Sequence, residues 1–222
     1  MTIQPGNFYF IDDSFFSKVN DKYLKCNYQT TKRPHYFPFM DENTNLLWLV
    51  PCSSKVDKFK NIIQKREQQG KKTKSIKIIK LQNKETVLLF QDMFPISSKY
   101  IADQYIRNNQ PVKISNPKIL KELEKTAKEV IVMIRKGIKF TPTQPNALAI
   151  EKIMLQEQLI KKTDLSADQV AALSKTKISF QCQRTSENKF TIIFSRADLE
   201  QINAVLSSIA AKNKAEPPKH KR

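Results

Sequence analysis

Residues 31–60, TKRPHYFPFMDENTNLLWLVPCSSKVDKFK, constrain the fold of this chain more than any other stretch. Two apolar runs of strand length, 35–40 and 46–50, flank a polar turn at 41–45. Pro38 marks the first run as an edge strand or a bulged one. LLWLV reads as a buried strand. Ser53 or Ser54 then stands where a helix N-cap belongs. The helix is expected to run to about Gln69, with Val56, Phe59, Ile62 and Ile63 at helical spacing and Gly70 as its stop. If the two runs pair antiparallel, their outer ends meet. His35 and Arg33 then approach Ser53, Ser54 and Lys55, a set of groups suited to gripping or cutting a phosphodiester.

The rest of the chain continues this strand-and-helix alternation. A short aromatic strand is expected at 7–11, then a brief helix capped by Asp12-Asp13-Ser14, then a loop at 21–31. A second hairpin pairs 75–81 with 86–91 around Asn83-Lys84-Glu85. After a break at 92–95, a helix is predicted over 96–106 and a short strand at 112–114. A long helix follows over 116–137, with Pro117 at its first position and Gly137 at its end. Its apolar face carries Ile119, Leu120, Leu123, Ala127, Val130, Ile131 and Ile134. A proline-stiffened segment at 140–145 closes a first domain, 1–146. An extension, 147–212, reads as helices at 147–162, 166–174 and 196–212 around a hairpin of 178–183 with 189–194. A basic tail, 213–222, has the composition of a disordered segment. Hairpins interleaved with helices indicate an α+β fold, with a small α+β extension.

Charge points to a partner. The chain of 222 residues carries a net +18, which favours a polyanion, nucleic acid first and an anionic membrane surface second. Half of that excess lies in 55–84, where eleven Lys/Arg face two Asp/Glu. Lys58, Lys65 and Arg66 on the helix, with Lys77 and Lys80 on one face of the next strand, are expected to track phosphates. A solvated surface is the plainer reading of the same charges. No run of about 18 apolar residues is present, and the N-terminus lacks the basic and apolar regions of a secretory signal. Three isolated cysteines suggest neither a disulfide framework nor a zinc site. With only three glycines there is no glycine-rich phosphate loop.

His35 is the only histidine outside the tail, and its imidazole titrates near neutral pH. Arg33 can grip a phosphate with two parallel hydrogen bonds. A helix entrance at Ser53-Ser54-Lys55 offers free N–H groups to an anion. Tyr28 and Tyr36 are candidates for stacking on bases, and Lys32 for a phosphate contact. No acidic cluster suggests a two-metal nuclease, so no metal and no cofactor is expected. In RNA the 2′-hydroxyl is an internal nucleophile, and a protein need add only a proton acceptor, a proton donor and cations. A non-catalytic RNA- or DNA-binding regulator would use the same basic patch.

Residues 1–146 resemble the toxins of type III toxin–antitoxin systems, the ToxN/CptN/TenpN endoribonucleases, and are most similar to the CptN-like branch. The motifs that carry the resemblance are NFYFIDDSFF, DKYLK, KRPHYF, WLVP followed by SSKVDKFK, QDMFPIS and KFTPTQPN. The resemblance implies a compact, strongly bent antiparallel sheet or partial barrel related to the MazF/Kid toxins. It implies metal-independent cleavage of RNA to a 2′,3′-cyclic phosphate in the cytoplasm. It also implies a pseudoknotted repeat antitoxin RNA that inhibits the protein and assembles with it into a ring. Ser53-Ser54 occupy the place of a Thr-Ser pair in the ToxN pocket, and Lys55 is the nearest lysine, without the proline that separates serine and lysine in ToxN. Tyr28 and the Lys32/Arg33 pair correspond to a tyrosine and a lysine ahead of the preceding strand. His35 has no ToxN counterpart.

Overall fold

A computed structural model describes residues 1–27, 31–71 and 73–215. It is mixed α+β and divides into two units, Met1–Met154 and Leu155–Arg222. The division falls later than the end of 1–146, because Ala147 at the start of helix α4 (Ala147–Glu157) packs into the core of the first unit.

The first unit is built on an antiparallel seven-stranded sheet. Strand β1 (Phe8–Ile11) leads into helix α1 (Asp13–Val19), whose N-cap Asp12 accepts from the Ser14 N–H. Strands β2 (His35–Asp41) and β3 (Leu46–Ser53) pair as expected, with His35 opposite Pro51. Their register shifts by one between Tyr36 and Phe39. Pro38, which has no N–H for the ladder, lies at that bulge. β2 is not an edge strand, since β1 covers its other side.

Helix α2 (Val56–Gln68) begins later than the serines. Its N-cap is Lys55, and Ser53 Oγ accepts from the Lys55 N–H at 3.2 Å. It ends where Gly70, at φ +69°, lets its own N–H reach Glu67 and that of Lys71 reach Arg66. Its apolar stripe packs on Ile76, Val87 and Leu89 of strands β4 (Ile76–Leu81) and β5 (Lys84–Leu89). The tight turn between them is Gln82-Asn83, both at positive φ, one position ahead of the turn expected.

The helix expected over 96–106 is absent. Strand β6 (Phe94–Ile96), a single tight turn at Ser98–Tyr100 and strand β7 (Ile101–Gln104) take its place. β7 pairs with β1, and that tertiary pairing outweighs a weak helical period. A second tight hairpin joins β8 (Ile106–Arg107) to β9 (Gln110–Pro111) through Asn108-Asn109, both left-handed.

The strand order is β4-β5-β3-β2-β1-β7, with β6 also on β3, and the sheet does not close into a barrel. One side of β3 is shared: Leu47–Leu49 pair with β6, then Cys52 and Ser53 pair with β5. Helix α3 (Pro117–Arg135) lies across Phe8, Tyr36, Trp48 and Leu88, burying Leu123, Ala127, Val130, Ile131 and Ile134. Ile119, expected on that face, is 40 % exposed. Asn116 caps the helix, and Gly137 closes it in the left-handed conformation.

The second unit holds a three-stranded antiparallel sheet, β10 (Leu159–Leu165), β12 (Lys189–Ser195) and β11 (Phe180–Ser186) in that order. β10 shortens the helix expected over 147–162. Helix α5 (Ala167–Ser174) carries a Ser166/Gln169 capping box, and with helix α6 (Leu199–Ala215) it covers Ile192 and Phe194. Of the basic tail, residues 216–222 lie outside the described residues.

Candidate functional site

The two strand ends meet as expected, and a cleft of about 190 Å³ opens there. One wall is the chain entering β2 and the end of β3, with Lys32, Arg33, Ser53 and Ser54. A second is the start of β5, with Lys84, Glu85 and Thr86. Tyr105 and Arg107, from β8 and the residue before it, form the third.

Arg33 is held from several sides. Its backbone N–H donates to Asn27 Oδ1 at 2.9 Å, and its guanidinium donates to the Cys52 carbonyl at 2.7 Å and more weakly to that of Cys26. Asn27 is itself anchored to the Ile11 carbonyl and to Asp13. The guanidinium is thereby presented at the cleft with little freedom to lose on binding an anion. On the opposite wall Arg107 donates to the Tyr105 hydroxyl at 2.7 Å and lies over its ring. Lys32 and Lys84 are exposed at the rim. Lys32 has an acidic neighbour, Asp103, at 3.6 Å. Four cations thus line the cleft with one carboxylate, Glu85, which pairs with Lys60 at 2.7 Å.

His35 is not part of this cleft. It is fully buried, its ring beside those of Phe16 in α1 and Phe94 in β6. Burial pushes its imidazole down to about 3, and the nearby Arg33 guanidinium acts in the same direction. Backbone carbonyls of Arg33 and Lys25 approach the ring, but neither ring nitrogen has a partner in hydrogen-bond geometry. A neutral, buried imidazole cannot exchange protons with a bound substrate, so the expected role is withdrawn. Tyr36 is likewise buried, in the core beside Phe8, and cannot stack on a base. Tyr28 lies outside the described residues.

Lys55 follows the serines, but its exposed side chain does not line the cleft. Lys58, Lys65 and Arg66 stand on α2 away from it, Arg66 half-buried. Lys77 and Lys80 do not share a strand face. Alternation places Lys77 with Ile79 and Leu81, toward α3, where it pairs with Glu122 at 2.6 Å, and places Lys80 with Ile76 and Ile78. Burial raises the Cys52 thiol to about 12, which removes it as a nucleophile.

Sequence reasoning missed Lys84, Glu85, Thr86, Tyr105 and Arg107. Tyr105 falls within the helix expected over 96–106, and Arg107 directly follows it. The signal that could have found them is Asn108-Asn109, a pair suited to a two-residue hairpin. Among the described residues no helix is long and apolar enough to cross a membrane. No family model matches this chain, and no curated protein matches it.

Proposed function

We propose that the first unit is a metal-independent endoribonuclease, the toxin of a type III toxin–antitoxin pair, acting in the cytoplasm and restrained by a repeat antitoxin RNA. The observation that carries this reading is the convergence of Arg33, Ser53 and Ser54 with Lys84 and Arg107 in one cleft. The resemblance of residues 1–146 to ToxN-like toxins and the chain's charge of +18 support it. The antiparallel sheet is compatible with a MazF/Kid-like ancestry.

The chemistry asks little of the protein. The substrate's 2′-hydroxyl attacks the adjacent phosphorus and the 5′-oxygen leaves, giving a 2′,3′-cyclic phosphate. Arg33 and Arg107 stabilise the charge that develops on the non-bridging oxygens. Ser53, Ser54 and the Tyr105 hydroxyl donate hydrogen bonds to the same oxygens. Glu85, the carboxylate in the cleft, accepts the 2′-hydroxyl proton in place of His35, and the departing 5′-oxygen takes its proton from solvent water.

A second reading, a non-catalytic nucleic-acid-binding protein, is favoured by the burial of His35, which leaves the cleft without an imidazole. One experiment separates them. Purified protein is incubated in EDTA with a single-stranded RNA and with a DNA of the same sequence. Cyclic-phosphate products from the RNA, with the DNA intact, support the enzyme. RNA that is shifted on a gel but uncut supports the binder.

A further inference from the structure

The sheet of the second unit has two open sides. Among the described residues β10 and β11 are its outer strands, each paired only with β12. An outer strand presents N–H and C=O groups that another strand can complete, and proteins commonly guard such edges. β10 is guarded. Lys161 stands exposed on it, its register with β12 breaks between Lys162 and Leu165, and Asp164 is left-handed there at φ +63°. β11 has no such protection. From Phe180 to Arg184 its register with β12 is unbroken. That run holds no proline and one charge, Arg184, and every residue of β11 after Phe180 is exposed. A regular, exposed edge of this kind accepts a further strand.

The sequence of the edge specifies what fits it. Phe180-Gln181-Cys182-Gln183-Arg184 is nearly symmetric about Cys182. Two copies laid antiparallel about a twofold axis through Cys182 set Gln181 opposite Gln183 twice, Phe180 opposite Arg184 twice, and the two thiols opposite each other. The amides can hydrogen-bond, the arginine meets an aromatic ring, and no like charges face one another. The faces agree as well. Gln181 and Gln183 stand beside Ile193 and Thr191 on one face of the sheet. Phe180 and Cys182 share the other with Phe194 and Ile192, where α5 and α6 pack. Pairing β11 with β10 of another copy would join unlike edges, which repeats without closing, and would have to seat Lys161 and the break in β10.

We infer that β11 is a dimerisation edge, at which two copies of this chain join antiparallel with Cys182 on the axis and merge two three-stranded sheets into one. The inference stands on the second unit and is independent of the functional reading of the cleft. The paired run is about 17 Å long. Such a contact lies at the small end of protein interfaces, so association is expected in the micromolar range.

The test is sedimentation equilibrium of the full chain in reducing buffer, from about 1 to about 100 µM, with about 0.5 M salt to release bound RNA. A monomer–dimer equilibrium is expected. Cys182→Lys sets two ammonium groups against each other on the axis and should weaken association by about tenfold or more. Cys182→Thr, small and β-branched, should keep it. The register has its own readout. Residues directly opposite in an antiparallel pair have Cα atoms about 4.5–5.5 Å apart, within disulfide reach. Cys26 is also exposed, so the cross-link is made in Cys26→Ser. Diamide, which takes two electrons and two protons from a pair of thiols, should link two copies of Cys26→Ser and none of Cys26→Ser/Cys182→Thr. Protein that stays monomeric to about 100 µM overturns the inference. So does wild-type association in Cys182→Lys with an unchanged thermal transition, which would put the contact elsewhere. Species that grow beyond a dimer with concentration overturn it too, because they show unlike edges pairing.

Discussion

The Arg33 guanidinium donates to the Cys52 carbonyl at 2.7 Å, tying the chain just before β2 to the end of β3. This hydrogen bond couples stability to the site, because the same side chain that joins the strand ends is the cation proposed to meet a phosphate. Arg33→Lys keeps the charge but loses the planar fork. It is expected to cost about 1–2 kcal/mol of stability and about tenfold in RNA affinity. Thermal unfolding and anisotropy titration on one preparation measure both. An unchanged melting temperature would show that the tie does not hold the strands.

His35 gives a pH signature with a definite sign. Its folded-state value, about 3, lies below the ordinary 6.5, so the unfolded chain binds the extra proton. Its contribution to stability is complete above pH 6.5 and is lost as pH falls toward 3, at up to about 1.4 kcal/mol per pH unit. His35→Leu should therefore flatten the decline in urea midpoint between pH 7 and pH 4. It should also keep RNA cleavage within about twofold, because the buried ring does not line the cleft. Loss of cleavage in a folded His35→Leu protein would return the histidine to the mechanism.

Glu85→Gln separates chemistry from binding. It removes the proposed proton acceptor while leaving a polar side chain of the same size. Cleavage is expected to slow by about 10²-fold or more, with RNA affinity equal or higher because a negative charge has left the cleft. Single-turnover rates with excess enzyme read the first, and anisotropy the second. Equal rates in the two proteins would remove Glu85 from the reaction.

Arg107→Gln removes a proposed phosphate cation and releases the Tyr105 hydroxyl. It should lower cleavage by about 10²-fold or more with little change in melting temperature, because β8 and β9 are two-residue strands at the periphery. A matching loss in Tyr105→Phe would show that the hydroxyl acts with the guanidinium. No loss in Tyr105→Phe would leave Arg107 acting alone.

Arg135 is a structural counterpart. It donates to Asp41 at 2.7 Å, also pairs with Glu151, and lies over the Trp48 ring. Burial works to raise the Asp41 carboxyl, but Arg135 and the N–H groups of the 41–45 turn bring it below its ordinary value. Arg135→Ala is expected to cost about 1–2 kcal/mol in denaturant unfolding, below the range of a fully buried pair because the arginine is 40 % exposed. RNA cleavage should persist at temperatures where the variant is folded.

Elements with their own local chemistry are readable in the chain. Asn116-Pro117 and Gly137 bracket α3 as caps do, and Ser166 with Gln169 opens α5. The meeting of β2 and β3 is readable too, because each apolar run needs the other. The faces of β2 are not. His35, Tyr36, Phe37 and Pro38 are all buried, so alternation carries no mark of which side faces the cleft. Residues 96–111 resist reading for a related reason: their strands are two to four residues long and take their identity from partners far away in sequence. The serines stand at the strand end as expected, although Lys55 rather than either serine caps α2.

Because one side of β3 passes from β6 to β5, the cleft draws on four stretches of chain, around residues 33, 53, 85 and 107. An N-terminal fragment that stops before β8 does not contain all of them. A chain still being synthesised, or one clipped at that point, keeps the basic stretch at 55–84 but has no assembled cleft. The proposed activity would begin only after the last wall has folded into place.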